Sequence, residues 1–292
     1  MNSEELEKYD DFLLGGESFD DFPLRHISGT LSELKKKIQS GDNGIDPPYQ
    51  LLLKTVRKIY PTHLWIVGAY TSVGKSFFAV DLAMRLMHKH KPPSIAIFST
   101  EMSEYEYALR LLAHKTTFPV WAIRENKITF PTQIAILEAA EKFLFSKRLF
   151  IFDSLYQYAE IEKACHTIKK KHGLDIVFID FIQNLQGKGS IYERMSILSP
   201  VMQKLAKELE ITIIALSQIS NEAVRENTGV IGYKGAGEIA AACDLGLWME
   251  RVEKTSNERI KIIVKKNRHG MLGEGIFRFT DSWTQMTEEI DD

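Results

Sequence analysis

Apolar runs and amphipathic stretches alternate along the middle of the chain. Each run is almost continuously apolar, which is the pattern of a strand buried on both faces. The runs cover residues 64–68, 94–99, 148–153, 175–180 and 211–217, and the helical patterns between them cover 75–90, 103–115, 132–146, 157–172 and 194–210. Strands separated by helices predict an α/β fold with a mostly parallel sheet that is covered by helices on both faces.

The pattern changes after residue 244. Three further apolar stretches follow, "LGLWMER", "RIKIIVKK" and "GIFRFT", and short polar connections join them instead of helices. Since short connections join antiparallel strands, this part predicts an antiparallel C-terminal extension of the sheet.

The first 60 residues have a different character. Residues 1–22 mix acidic and aromatic side chains without a clear period, so a solvated tail and a docking peptide both remain open. Leu31, Leu34 and Ile38 share one face of a short amphipathic helix predicted over 30–40, and "GIDPP" indicates a linker near 41–48. We therefore predict two parts, an N-terminal part over 1–60 and the α/β domain over 61–292.

Composition narrows the class of protein. The apolar share of 44% and the charged share of 26% are those of an ordinary globular protein, and no apolar run approaches the roughly 18 residues of a membrane span. The acidic N-terminus resembles neither a secretory signal nor a transit peptide. Cys165 and Cys243 lie far apart, which favours buried thiols in a reducing compartment. We expect a cytoplasmic protein that does not contact a membrane.

Charge is distributed unevenly along the chain. Residues 1–22 carry eight acidic residues against one lysine, and the last five residues add four acids, although the net charge is only −2. The body between these ends is therefore net basic, which permits the binding of a polyanion without requiring it.

The segment "AYTSVGKS" lies between the first predicted strand and the helix after it. A glycine-bearing turn that leads into Gly-Lys-Ser at a helix start is typical of a loop that wraps a triphosphate, because its backbone N–H groups point inward. The alternative is an ordinary strand–helix turn, and Ala69 departs from the usual glycine at the first position. The predicted ATP-binding residues are Ala69, Tyr70, Thr71, Ser72, Val73, Gly74, Lys75, Ser76 and Phe77. Lys75 is expected to reach the β and γ oxygens, and the Ser76 hydroxyl is expected to ligate Mg²⁺.

Three polar residues stand at or just beyond the ends of other predicted strands. Asp180 is the candidate that holds Mg²⁺, and Glu101 is the candidate base for the attacking water. Gln218 is placed to hydrogen-bond the γ-phosphate or the water. Taken alone, Glu101 could equally be an acid at a helix N-terminus, and Gln218 could equally be structural.

Six segments together resemble one family. In chain order they are "AYTSVGKS", "FSTEMS", "IVFIDFIQNL", "LAKELEITIIALSQIS", "GAGEIAAACDLGLWM" and "KKNRHGMLGEGIFRF". Their order and spacing resemble the C-terminal ATPase domain of bacterial and phage replicative helicases of the DnaB type, which has a RecA-like P-loop NTPase core. The resemblance covers about residues 61–285.

The resemblance implies further roles. Arg268 would be an arginine finger with Lys266 as its companion, and both would act on the ATP of a neighbouring subunit; the alternative is a solvated turn. Loops that line a central channel would contact single-stranded DNA, although flexible solvated loops are equally open. The candidate DNA contacts are Lys188, Arg194, Arg225 and Lys234.

The family also implies a function and partners. We expect an ATP-dependent DNA helicase or translocase that works as a homo-oligomeric ring, a hexamer in this family, with primase, a loader or other replication proteins as candidate partners. The larger N-terminal domain of the family does not fit into the first 60 residues. The alternatives are a recombinase-type or regulatory ATPase that forms filaments or remodels a protein partner, and a nucleotide-binding adaptor without activity.

Overall fold

The computed structural model describes residues 27–40, 44–188, 191–218, 242–253 and 258–290. The contacts divide the chain into two compact units, Met1–Asn43 and Gly44–Asp292. The described part of the first unit is one helix, α1 (Ile27–Ser40). It begins three residues before Thr30, so the apolar stripe includes Ile27 besides the predicted Leu31, Leu34 and Ile38, and these four side chains are all more than half exposed.

The second unit contains helices and strands in alternation. Its helices are α2 (Gln50–Thr55), α3 (Lys75–Met87), α4 (Glu104–Thr116), α5 (Val120–Arg124), α6 (Pro131–Phe145), α7 (Tyr158–His172) and α8 (Ile191–Glu208), with a 3₁₀ turn at Ile182–Asn184. Its strands are β1 (Leu64–Ala69), β2 (Ile95–Ser99), β3 (Leu149–Phe152), β4 (Ile176–Asp180), β5 (Thr212–Gln218), β6 (Leu245–Arg251), β7 (Arg259–Asn267), β8 (Gly273–Phe279) and β9 (Met286–Glu289). Among the described residues, no helix is both long enough and apolar enough to cross a bilayer.

All nine strands form one sheet in the order β3-β2-β4-β5-β1-β6-β7-β8-β9. The pairs from β3 to β6 are parallel, and the pairs from β6 to β9 are antiparallel. The predicted parallel sheet with an antiparallel extension is therefore confirmed. In detail, β6 belongs to both parts, because it pairs in parallel with β1 on one side and antiparallel with β7 on the other.

Alternate side chains of the central strands enter two separate cores. Trp65 and Val67 of β1 pack with Phe78 and Leu82 of α3 on one face. Leu64 and Ile66 lie in the core of the opposite face, which α7 and α8 cover through side chains such as Cys165 and Met202. Because both faces are covered, a strand with polar alternation would bury polar groups, and this explains the continuous apolar runs.

The segment before β1 belongs to the α/β unit. Tyr49, Leu51 and Leu52 are each at most 5% exposed and lie in the core beside α3. The compact unit consequently begins at Gly44, earlier than the boundary expected between residues 60 and 61. Both cysteines are buried free thiols, as predicted.

A buried carboxylate connects the elements on this face. Asp81 of α3 is fully buried and accepts hydrogen bonds from Tyr49 Oη (2.6 Å), Arg85 Nε (2.5 Å), His114 Nε2 (2.9 Å) and the Met286 backbone N–H (3.0 Å). Burial acts to raise the pKa of Asp81, but the hydrogen bonds from His114, Arg85 and Tyr49 and the charge of Arg85 hold that pKa below its ordinary value. One side chain thereby ties α3 to α4, β9 and the residue before α2.

Candidate nucleotide-binding site

The segment after β1 is a tight loop at the carboxyl edge of the sheet. Ser72 (φ +62°) and Gly74 (φ +109°) both have left-handed backbone conformations. Gly74 is the N-cap of α3, and no side chain caps the first turn of this helix. Successive N–H groups in such a turn, followed by an uncapped helix start, form a concave surface that binds anions. The predicted phosphate-binding residues thus have the backbone geometry that their role requires.

Gly74 is also constrained by a close contact. A Cβ atom at this position would lie 3.1 Å from Cζ of Phe279, at the end of β8. Both the positive φ and this aromatic ring therefore favour glycine.

Lys75 lies inside the loop rather than in solvent. Its side chain is 8% exposed, and Nζ donates to the carbonyl oxygens of Ala69 (3.2 Å) and Tyr70 (3.3 Å). Burial lowers the pKa of Lys75, and the negative charges of Asp180 and Glu101 oppose this shift. The ammonium is therefore held at the loop between two carboxylates of neighbouring strands.

Asp180 ends β4 as a fully buried carboxylate. Tyr107 of α4 donates a hydrogen bond to Oδ2, whereas Oδ1 has no hydrogen-bond partner among the described residues. Burial raises the pKa of Asp180, opposed by hydrogen bonding from Tyr107 and Ser76 and by the charges of Lys75 and Arg110. A buried carboxylate oxygen beside a serine hydroxyl is the donor set that Mg²⁺ takes from a protein when phosphates supply other ligands, so the residues fit this ion.

Glu101 follows β2 and is exposed. Its charge acts on Lys75, so the carboxylate lies near the mouth of the loop. The preceding residue fixes the strand end, since Thr100 Oγ1 donates to the carbonyl oxygens of Asp180 (3.2 Å) and Phe181 (3.0 Å). Glu101 is thus carried by a rigid strand end beside the loop.

Gln218 connects β5 to the loop directly. Its Nε2 donates to Thr71 Oγ1 at 2.7 Å, and its backbone N–H donates to Gln183 Oε1 at 3.1 Å. Gln183 in turn donates through Nε2 to Ser217 Oγ at 2.7 Å. The end of β5 is consequently tied both to the loop and to the segment after β4.

Arg268 and Lys266 lie at the opposite edge of the sheet. Arg268 Nη1 is 3.0 Å from Asp244 Oδ1, while Asp244 Oδ2 accepts from the backbone N–H of Leu64, the first residue of β1. At about 3.3 Å per residue, the six residues of β1 put this edge about 17 Å from the loop of the same chain. Lys266 pairs with Gly246 near the end of β7.

The candidate DNA contacts divide into three groups. Lys188 is exposed after the 3₁₀ turn. Arg194 is half-buried, packs close to Gly187 and donates through Nη2 to the Gln183 carbonyl at 3.4 Å. Arg225 and Lys234 lie outside the described residues.

The sequence reasoning missed several residues around the loop. Tyr107 and Arg110 lie three positions apart on one face of α4, a spacing that could have suggested a shared target. Gln183 is a polar residue inside the apolar segment "FIDFIQNL". Arg251, at the end of β6, donates through Nη2 to the Ser72 carbonyl at 2.9 Å, and nothing in the local sequence indicates this contact.

The fold and the loop together define a class of protein. A mostly parallel sheet with the phosphate loop after a central strand, and with polar residues at the ends of the strands beside it, is a P-loop NTPase with a RecA-like core. Residues 44–288 match the model of the DnaB-like helicase C terminal domain, and the chain belongs to that family.

Curated relatives carry the names of replicative helicases. The replicative DNA helicase DnaB of Geobacillus stearothermophilus is 30% identical over 223 residues, which are 72% of this chain and 49% of the relative. The replicative DNA helicase DnaC of Bacillus subtilis is 28% identical over 235 residues, 76% of this chain and 51% of the relative. The chain thus spans about half the length of these relatives. Their names do not favour a recombinase or a regulatory ATPase.

Solved structures share the fold. One of them, an ATPase domain solved on its own, superposes with a TM-score of 0.76 at 23% identity, covering 91% of this chain and 99% of that one. A DnaB-like replicative helicase, solved in a study of its interactions with primase, gives 0.75 at 22% identity and covers 97% of this chain and 71% of its own.

Proposed function

We propose that the chain is the motor of an ATP-dependent DNA helicase, which hydrolyses ATP with Mg²⁺ and uses the energy to move along single-stranded DNA. The observation that carries this proposal is the buried Asp180 carboxylate, whose Oδ1 has no partner among the described residues beside the phosphate loop. An acceptor kept buried in this way costs free energy unless a cation or a donor completes it.

Each polar group at the loop has a task in this proposal. Ser76 and Asp180 would hold Mg²⁺, which would offset the charge of the phosphates. Lys75 exchanges its two carbonyl acceptors for phosphate oxygens, and Glu101 accepts the proton of the attacking water. Gln218, bonded to Thr71, senses whether the γ-phosphate is present and passes this on to the segment that follows β5.

Arg268 has its role in another copy of the chain. Since Arg268 and the phosphate loop lie on opposite edges of one sheet, the guanidinium cannot reach the nucleotide of its own chain. We propose that it stabilises the developing charge on the nucleotide of a neighbour, with Lys266 beside it, in a homo-oligomeric ring that we expect to be a hexamer. Asp244 holds the guanidinium at the edge until the neighbour is in place.

DNA and protein partners complete the proposal. Lys188, Arg194, Arg225 and Lys234 are proposed phosphate contacts, and of these Lys188 has the support of its exposure. Interaction with primase is proposed by analogy with the DnaB-like replicative helicase of similar fold, and interaction with a loader or other replication proteins is proposed from the family alone.

The test measures ATP hydrolysis with and without single-stranded DNA. We expect DNA to stimulate hydrolysis, Lys75→Ala to abolish it, and Glu101→Gln to reduce it about 10²- to 10⁴-fold while ATP binding is retained. Glu104→Gln is the matched control, because Glu104 is an exposed acid three residues further on. Mixing Lys75→Ala with Arg268→Ala should restore part of the turnover if neighbours share a site. Hydrolysis that ignores DNA would refute the helicase proposal.

A further inference from the structure

A recess opens beside the phosphate loop, on the side of the C-terminal strands. Its volume is about 170 Å³, less than the roughly 300 Å³ of pockets that enclose a drug-sized ligand. It therefore suits one planar group rather than a whole nucleotide. Its lining includes Gly74 of the loop, the guanidinium-bearing Arg110 and Arg251, and the aromatic Phe77, Phe279 and Trp283.

Three aromatic rings follow one another from the loop outward. Phe77 meets Phe279 edge to face, with centroids 4.9 Å apart, and Phe279 stacks on Trp283 at 4.8 Å with an interplanar angle of 19°. Phe279 is 5% exposed, whereas Trp283 is 45% exposed. The outermost ring of the series consequently offers indole surface to a further flat ring.

The backbone holds Trp283 in an unusual conformation. Its φ is +53°, in the left-handed region that bulky residues rarely adopt. Its N–H donates to the Thr280 carbonyl at 2.8 Å, and the Thr280 N–H donates to the Gln285 carbonyl at 2.9 Å. Gln285 Nε2 fixes the turn to α4 through the His114 carbonyl at 2.8 Å. A large aromatic residue that is strained, fixed and yet exposed points to a task outside the core.

Positive charge lies on the same side of the loop. Arg251 Nη2 donates to the Ser72 carbonyl, and Arg110 Nε is buried without a hydrogen-bond partner among the described residues. Two guanidinium groups between an anion-binding loop and an aromatic platform fit a ligand with phosphates at one end and a flat ring at the other.

We infer that Trp283 is the stacking platform for the base of the bound nucleoside triphosphate, and that it gives the site a preference for purines over pyrimidines. The inference rests on the proposed function, since it assigns the base end of the same ATP site. Stacking depends on the area of the ring rather than on its pattern of donors and acceptors. We therefore expect ATP and GTP to bind similarly, and CTP and UTP to bind more weakly.

The test compares three ligands, ATP, CTP and inorganic tripolyphosphate, by calorimetry in the presence of Mg²⁺. In Trp283→Ala, ATP affinity should fall roughly 5- to 100-fold, and tripolyphosphate affinity should stay at the wild-type value because that probe has no base. Binding of ATP should also quench tryptophan fluorescence in wild type and not in Trp283→Phe. Trp121→Phe is the matched control, since Trp121 is 58% exposed on α5 and should leave both signals unchanged.

The outcomes separate this inference from the proposed function. Unchanged ATP affinity in Trp283→Ala would overturn the platform while the nucleotide site stands. If Trp283→Ala loses tripolyphosphate as well, Trp283→Phe decides, because a Phe variant that keeps the purine preference supports the platform and one that lacks it overturns the platform. Wild-type protein that binds neither ATP nor tripolyphosphate would refute the proposed function and this inference together.

Discussion

Replacing Asp81 with alanine should destabilise the α/β unit strongly. The carboxylate is fully buried and accepts four hydrogen bonds, from Tyr49, Arg85, His114 and the Met286 backbone. In Asp81→Ala these donors lose their acceptor, and the Arg85 guanidinium loses its counter-charge in a half-buried position. Removal of one partner from a buried ion pair costs about 3–5 kcal/mol.

That cost can be converted into a melting temperature. Domains of about 150–250 residues lose roughly 2–4 °C for each kcal/mol, so a loss near the middle of the range corresponds to a fall of roughly 8–16 °C. Thermal unfolding followed by circular dichroism measures it. The matched control is Asp46→Ala, which breaks an ion pair of 2.6 Å to Lys58 whose side chains are 54% and 33% exposed.

The control should change stability by about 0–1 kcal/mol, because solvent screens an exposed pair. If Asp81→Ala melts within about 2 °C of Asp46→Ala, which is the shift expected for less than 1 kcal/mol, the network does not stabilise the fold and the reasoning is refuted.

Two further predictions concern the loop. Gly74→Ala should lower the free energy of unfolding by roughly 1–3 kcal/mol in urea titrations, since φ is +109° and the new methyl would meet Phe279; Gly29→Ala, at an open helical position, should not, and equal effects would contradict the strain argument. Tyr107→Phe should move the acid limb of ATP hydrolysis to higher pH, because the lost hydrogen bond had lowered the pKa of Asp180 against the effect of burial, so the carboxylate loses its charge earlier as the pH falls. A pH–rate profile that coincides with the wild-type profile would count against this role of Tyr107.

The central strands could be predicted because burial on both faces leaves a local trace. β1, β2, β4 and β5 are apolar along most of their length, since neighbouring helices cover each face. β9 leaves no such trace, because "MTEE" is short and polar and lies at the edge of the sheet. Pairing partners are equally hidden, and the parallel pairing of β6 with β1 joins segments far apart in sequence.

The same distinction applies to the candidate site. Asp180 and Gln218 could be proposed because the carboxyl ends of parallel strands meet at one edge, so a polar residue at each end converges with the others. Arg251 and Trp283 could not be proposed in this way, because they reach the loop only through the pairing of β6, β7 and β8. The ion pair of Arg268 with Asp244 depends on the same long-range register.

The positions of Arg268 and the phosphate loop on opposite edges of the sheet give the molecule a head and a tail. If each cradle is completed by the next subunit, a row of subunits with two ends always contains one incomplete cradle, whereas a closed circle contains none. Turnover per subunit should then rise with the length of a row and reach its maximum on closure, so dilution would slow each molecule before any of them unfolds.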